Sequence, residues 1–182
     1  MNHTHVRKTV TAALFCALIF AATMLFLPAP TVGNVNLGDA AILLCAHLLG
    51  GAWAVAAAAI GSALCDLLSG YAVYAPATLV IKALMTVVAL LSYRALRRLR
   101  LSAGWARAVA AIAAEAVMVA GYYLFEATVV LDSFAGALVS IPFNAVQGAV
   151  AIVIFCTVST FLSRTGLAEK LQRLAGAEPQ NQ

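Results

Sequence analysis

Hydrophobic residues run along the chain in long blocks with almost no charge, and short polar connections separate the blocks. We place six apolar runs at residues 9–27, 38–49, 52–69, 76–93, 106–125 and 139–162. Most are long enough for a helix to cross about 30 Å of hydrocarbon, whereas the second is short and is expected to be tilted or shielded by its neighbours. The pattern therefore predicts an all-α integral membrane protein.

The apolar stretch 40–65 is ambiguous, because His47 and the pair Gly50–Gly51 interrupt it. It forms either one long helix or two helices hinged at the glycines, which favour a turn. If this stretch crosses the membrane twice or forms a re-entrant hairpin, all three basic clusters of the chain lie on the same side of the membrane. Cationic loops stay on the cytoplasmic side, so that side is the cytoplasm. We therefore predict a six-transmembrane-helix bundle with both termini cytoplasmic. The three clusters are Arg7 and Lys8; Arg94, Arg97, Arg98, Arg100 and Arg107; and Arg164, Lys170 and Arg173.

Composition agrees with a membrane protein, since 64% of the residues are hydrophobic and only 10% are charged, against about a quarter charged in soluble domains. The net charge of +4 reflects topology and not nucleic-acid binding, because the basic residues border apolar runs. No ATPase, protease or esterase motif occurs, and the four cysteines lack metal-site spacing, so we expect no enzyme, no cofactor and no metal. We expect a membrane domain over 1–165 and a cytoplasmic tail over 166–182, with a short amphipathic helix.

Polar side chains collect at the ends of the runs that face away from the basic clusters. Lys82 lies about 9 Å along the fourth span, where an ammonium is costly unless it is needed. Amide, carboxylate and tyrosine groups near it suit a small polar ligand with an aromatic ring. The candidate substrate-binding residues are Asn36, Asp39, Tyr71, Tyr74, Lys82, Tyr122, Glu126, Asn144 and Gln147.

Structural roles compete with ligand binding at several of these positions. The tyrosines are also typical interfacial anchors. Lys82 has an alternative role as the partner of Asp66 or Asp39 in an ion pair. Asn144 and Gln147 have an alternative role in helix–helix contacts, and for the mid-membrane Glu115 a structural role comes first.

Two segments carry a resemblance to a known family. They are GNVNLGDAAILLCAHLLGGAWA at 33–54 and GSALCDLLSGYAVYAPATLVIKAL at 61–84. With the six runs and a small-residue stripe on the first helix (Ala13, Ala17 and Ala21), the chain resembles the substrate-binding S components of energy-coupling factor (ECF) transporters, in the riboflavin-type group.

The resemblance implies a high-affinity subunit in a prokaryotic plasma membrane. Such a subunit captures a vitamin from outside and docks through the alanine stripe onto a membrane T component with two ABC-type ATPases. It does not fix the ligand: we expect a ringed, hydroxyl-bearing compound such as a pyridoxine-like or pyrimidine precursor, and riboflavin stays possible. The alternative is a solitary proton-coupled secondary transporter that uses Glu115 or Asp66.

Overall fold

Helices make up almost all of the protein in a computed structural model, which describes residues 3–28 and 34–177. In chain order the elements are α1 (His3–Met24), β1 (Phe26–Pro28), β2 (Asn34–Asn36), α2 (Gly38–Leu48), α3 (Gly51–Leu68), α4 (Ala75–Arg98), α5 (Ala103–Phe125), a π-helical segment (Glu126–Val130), α6 (Phe134–Ala137), α7 (Ser140–Arg164) and α8 (Leu167–Leu174).

Five helical stretches among the described residues are long and apolar enough to cross a membrane: His3–Met24, Gly51–Leu68, Ala75–Arg98, Ala103–Val130 and Phe134–Arg164. They match five of the six apolar runs, because long uncharged segments in lipid satisfy their backbone groups as helices. The remaining run, 38–49, forms the shorter apolar helix α2. The six-span count and the cytoplasmic termini stay predictions.

The break between α2 and α3 lies at the two glycines. Gly50 has φ 65° and Gly51 has φ 60°, backbone values that glycine adopts without a steric penalty. The two-helix interpretation of this stretch is thus confirmed. With 11 residues, α2 is about 16 Å long. It is almost wholly buried and packs against α1, α3, α4 and α7.

The C-terminal helix α8 packs under the end of this short helix. Gln172 Nε2 donates a hydrogen bond of 3.0 Å to the carbonyl oxygen of His47, one of the carbonyls that the end of α2 leaves without a helical partner. Three leucines of this amphipathic helix, Leu167, Leu171 and Leu174, are exposed. The tail therefore contributes a packed helix, and its Leu171 and Leu174 border an apolar groove beside α1.

Two predicted connections contain structure that the sequence did not indicate. In the stretch 28–37, β1 and β2 pair antiparallel, with Leu27 opposite Val35, although residues 29–33 lie outside the described part. The strands are three residues each, too short for an alternation pattern to reveal. The stretch 126–137 lies between two predicted apolar runs, and the π-helical segment and α6 occupy most of it.

Candidate ligand-binding site

A small cavity lies at the end of the bundle where α2, α4 and α7 begin and where α1, α3 and α5 end. Its volume is about 30 Å³, room for very few water molecules. The lining residues come from six helical elements, the strand β2 and the connection between α3 and α4. They are Thr23, Asn36, Ser62, Asp66, Tyr71, Tyr74, Thr78, Lys82, Tyr122, Glu126 and Asn144.

The structure brings together most of the predicted site. Seven of the nine candidates line the cavity, and the other two, Asp39 and Gln147, lie behind Lys82 and hold it. Four lining residues were not among the nine candidates: Thr23, Ser62, Asp66 and Thr78. Helical spacing could have found two of these, because Ser62 precedes Asp66 by one turn on α3, and Thr78 precedes Lys82 by one turn on α4.

A buried polar network joins α2, α4, α7 and β2 beneath the cavity. Lys82 Nζ donates to Asp39 Oδ1, and the two side chains form an ion pair. Gln147 Nε2 donates to Asp39 Oδ2 at 2.6 Å, and Gln147 Oε1 accepts a bond of 2.8 Å from the backbone N–H of Asn36. Of the two ion pairs considered for Lys82, the structure has the one with Asp39. The helix–helix contact considered for Gln147 is also present.

Aromatic rings form one wall of the cavity. The Tyr71 and Tyr74 rings meet edge to face with centroids 6.2 Å apart, and Tyr74 packs against Phe125 at 5.2 Å. Lys82 Nζ lies 5.2 Å from the centroid of the Tyr122 ring, a cation–π distance. Tyr74 OH donates to Glu126 Oε1 at 3.5 Å. Burial and, after it, the Glu126 carboxylate raise the pKa of the Tyr74 phenol, so this hydroxyl stays a donor.

Several buried polar atoms have no hydrogen-bond partner within the described structure. Three of them belong to lining residues: Ser62 Oγ, Asp66 Oδ2 and Glu126 Oε2. Both carboxylate oxygens of Glu115 are also unpartnered. The Glu115 carboxylate is not among the lining groups and lies beside Gly148 of α7, where an added Cβ would be 3.1 Å from Oε2. Buried polar atoms are normally paired, so these positions need a physical explanation.

The cavity and the basic clusters lie at opposite ends of the helices. Tyr74 precedes α4, whereas Arg97 and Arg98 lie in its last turn, about 36 Å away for a helix of 24 residues. In the same way, α7 carries Asn144 near its start and Arg164 at its end. The geometry thus separates a polar cavity from a cationic face, as the sequence predicts.

The predicted docking stripe lies on a face of α1 that no other described element covers. Ala13, Ala17 and Ala21 are all exposed, whereas Ile19 and Thr23 on the other side of the helix are buried. On its buried side, α1 packs closely against α3: a Cβ at Gly61 of α3 would lie 2.6 Å from a backbone carbonyl of α1.

Comparisons with known proteins agree with this architecture. A family model described as "ECF-type riboflavin transporter, S component" matches residues 3–164. A solved structure titled "Structure and mechanism of the S component of a bacterial ECF transporter" has a TM-score of 0.68 and 20% sequence identity; the similarity covers 88% of this chain and 98% of that one. At this identity the likeness shows the fold alone. A comparison with curated proteins finds no match.

Proposed function

The chain belongs to the family of ECF-type riboflavin transporter S components, and on that premise we propose that it captures a water-soluble vitamin or vitamin precursor for import across a prokaryotic plasma membrane. The family, which the sequence motifs had indicated, consists of membrane-embedded substrate-binding subunits of ECF transporters and is not an enzyme family. The observation that carries the proposal is the family match over 3–164, within which the polar cavity lies.

We propose that the nine sequence candidates act at this site in two ways. Seven lining side chains contact the ligand, and Asp39 and Gln147 hold Lys82 in place through the buried network. The lysine has three N–H donors, and Asp39 occupies one of them. The others remain for the ligand.

The size of the cavity favours a compact ligand. Sites for small molecules usually measure about 300–1,000 Å³, whereas the present space is about 30 Å³. Binding therefore has to displace lining side chains, and a single-ring compound requires less displacement than a three-ring flavin. We propose a ringed, hydroxyl-bearing compound such as a pyridoxine-like molecule or a pyrimidine precursor. Riboflavin, which the family description names, is the second candidate.

We propose six membrane-crossing segments with both termini cytoplasmic, so that the cavity opens outward. Support comes from the basic clusters at the far end of α4 and α7 and from the positive-inside rule. Labelling of single cysteines tests this orientation, in a variant without the natural cysteines. The cysteines replace Val73 and Leu99, which are both exposed. An impermeant maleimide should label the cysteine at 73 only from outside the cell and the cysteine at 99 only from the cytoplasmic side. Labelling of both from the same side would refute the orientation.

The partners that the family implies are a T component and two ABC-type ATPases, and we propose that α1 is the contact surface. Its alanine stripe is exposed, and small residues allow the backbone of another helix to approach closely. Beside the stripe, Leu14 and Leu18 of α1 line an apolar groove with Leu171 and Leu174 of α8. The tail helix would thus extend the docking surface at the cytoplasmic end.

Reconstituted transport tests the proposal. Proteoliposomes that hold this protein, a T component and both ATPases should accumulate the ligand only when ATP is supplied to the ATPases. Vesicles with this protein alone should bind the ligand without accumulating it. If neither preparation binds any vitamin or vitamin precursor, the capture function is refuted.

The alternative function is proton-coupled transport by this protein alone. One observation favours it: Glu115 is 4% exposed, and neither of its carboxylate oxygens has a partner within the described residues. Buried carboxyl groups in membrane spans often carry protons. ATP-independent accumulation driven by a pH gradient, in vesicles without any partner, would establish this alternative.

A further inference from the structure

The cavity holds more hydrogen-bond acceptors than the protein satisfies. Asp66 and Glu126 are 7% and 2% exposed, both line the cavity, and one carboxylate oxygen of each has no partner. An ionised carboxylate can only accept hydrogen bonds. A buried acceptor without a donor is destabilising, so these two atoms define what a ligand in the cavity has to supply.

The charges around the cavity point in the same direction. Among the described residues that line it, Lys82 is the one cationic side chain, and Asp39 already neutralises this lysine in an ion pair. In their ionised forms, Asp66 and Glu126 then add two negative charges to the lining. An anionic ligand would meet these two like charges in a site with little water when the carboxyls are ionised, whereas a neutral or cationic ligand would not.

The aromatic wall is compatible with this polarity. The faces of tyrosine rings carry negative electrostatic potential and attract cations, and their edges pack against other rings. Tyr71, Tyr74 and Tyr122 all line the cavity. Tyr74 OH and one oxygen of Glu126 are joined, so the second oxygen of Glu126 is held in place for a donor from the ligand.

From these contacts we infer that the ligand is a neutral or cationic ring compound with at least two N–H or O–H donors, bound through Asp66 and Glu126, and that carboxylate and phosphate compounds are excluded. This inference rests on the proposed capture function and narrows it to one chemical class. Pyridoxine-like alcohols, aminopyrimidines and riboflavin fall inside the class. Biotin, pantothenate and nicotinate fall outside it.

A stability screen tests the inference on the purified full chain in detergent. The unfolding temperature is measured with riboflavin, pyridoxine, thiamine and 4-amino-5-hydroxymethyl-2-methylpyrimidine as donor-rich probes, and with biotin, pantothenate, nicotinate and pyridoxal phosphate as anionic probes. Only members of the first set should stabilise the protein. Stronger stabilisation by an anion would overturn the inference and leave the capture function standing. If no probe in either set stabilises the chain, the capture function itself fails, and the inference falls with it.

Matched variants locate the contact. Asp66→Asn and Glu126→Gln keep the shape of each side chain and remove its charge, and each should weaken the best donor-rich probe roughly 10- to 100-fold, the range for hydrogen bonds to charged groups. Asp132→Asn is the control, because Asp132 is exposed and lies outside the cavity lining; its affinity should equal that of the wild type. Unfolding temperatures without probe verify that each variant is folded. Unchanged affinity in both folded site variants would overturn the assignment.

Discussion

Replacing Lys82 with methionine should destabilise the protein strongly, because the substitution leaves a buried carboxylate without its cation. Asp39 is fully buried, and its two oxygens accept from Lys82 and Gln147. Methionine retains the length and the apolar stem of lysine but cannot pair with Asp39. Breaking a buried ion pair by removing one partner costs about 3–5 kcal/mol. For a chain of this size that corresponds to a fall in unfolding temperature of roughly 6–20 °C.

A double-mutant cycle separates the pair from the individual side chains. Asp39→Asn alone should also be destabilising, since it leaves the Lys82 ammonium buried without a counter-charge. The double variant Asp39→Asn, Lys82→Met removes both charges, and the new asparagine oxygen can still accept from Gln147. We therefore expect the double variant to regain most of the lost stability, with a coupling energy of about 2 kcal/mol or more.

The assay is thermal unfolding in detergent, with ligand affinity measured on every variant that folds. Lys170→Met is the control, because Lys170 is exposed on α8 and its loss should change the unfolding temperature little. The reasoning is refuted if Lys82→Met unfolds with the wild type, or if the losses of the two single variants simply add in the double variant. The folded double variant also tests the proposed contact between Lys82 and the ligand, which predicts a loss of affinity.

Three further predictions follow from close packing and from exposure. Ala17→Leu, on the exposed stripe of α1, should leave ligand binding unchanged and reduce co-purification with the T component and ATPases; Ala56→Leu, also exposed but on α3, is the matched control and should assemble normally. Gly61→Ala should reduce the free energy of unfolding by about 1–3 kcal/mol and lower the unfolding temperature, because its Cβ would lie 2.6 Å from a backbone carbonyl of α1. The matched control is Gly104→Ala, where an added Cβ has nothing within 4 Å. This control should be neutral or stabilising by up to about 1 kcal/mol. Glu115→Gln should retain ATP-driven uptake and thermal stability, and loss of an ATP-independent uptake in this variant would support the proton-coupled alternative.

The sequence predicts those features of the fold that depend on neighbouring residues. A run of uncharged residues in lipid forms a helix, which is why five runs agree with the long helical stretches. The hinge at Gly50 and Gly51 was also predictable, since positive φ is a local preference of glycine. Strands of three residues and a π-helical segment leave no comparable periodic signal, so the structure within the connections 28–37 and 126–137 could not be predicted.

The candidate site was predictable in its position and not in its pairings. The arginines mark one end of the helices, so the polar residues near the opposite end can be grouped into one candidate site from the sequence. Seven of the nine candidates do line one cavity. Whether Lys82 pairs with Asp39 or with Asp66 depends on the rotation of α4 against α2 and α3, which no local pattern specifies. Ser62 and Thr78 were missed because small hydroxyl residues occur throughout membrane helices.

The unpartnered carboxylates account for how a small cavity can bind tightly. Each buried acceptor without a donor destabilises the protein by about 1–3 kcal/mol, so a ligand that donates to both Asp66 and Glu126 regains roughly 2–6 kcal/mol, or about 30- to 10⁴-fold in affinity. That gain needs no large contact area. The carboxylate oxygens of Glu115 also lack a donor, but Glu115 is not among the residues that line the cavity. A ligand in the cavity therefore gains no affinity from Glu115. Variants at Asp66 and Glu126 should therefore lose stabilisation by ligand, while Glu115→Gln should keep it.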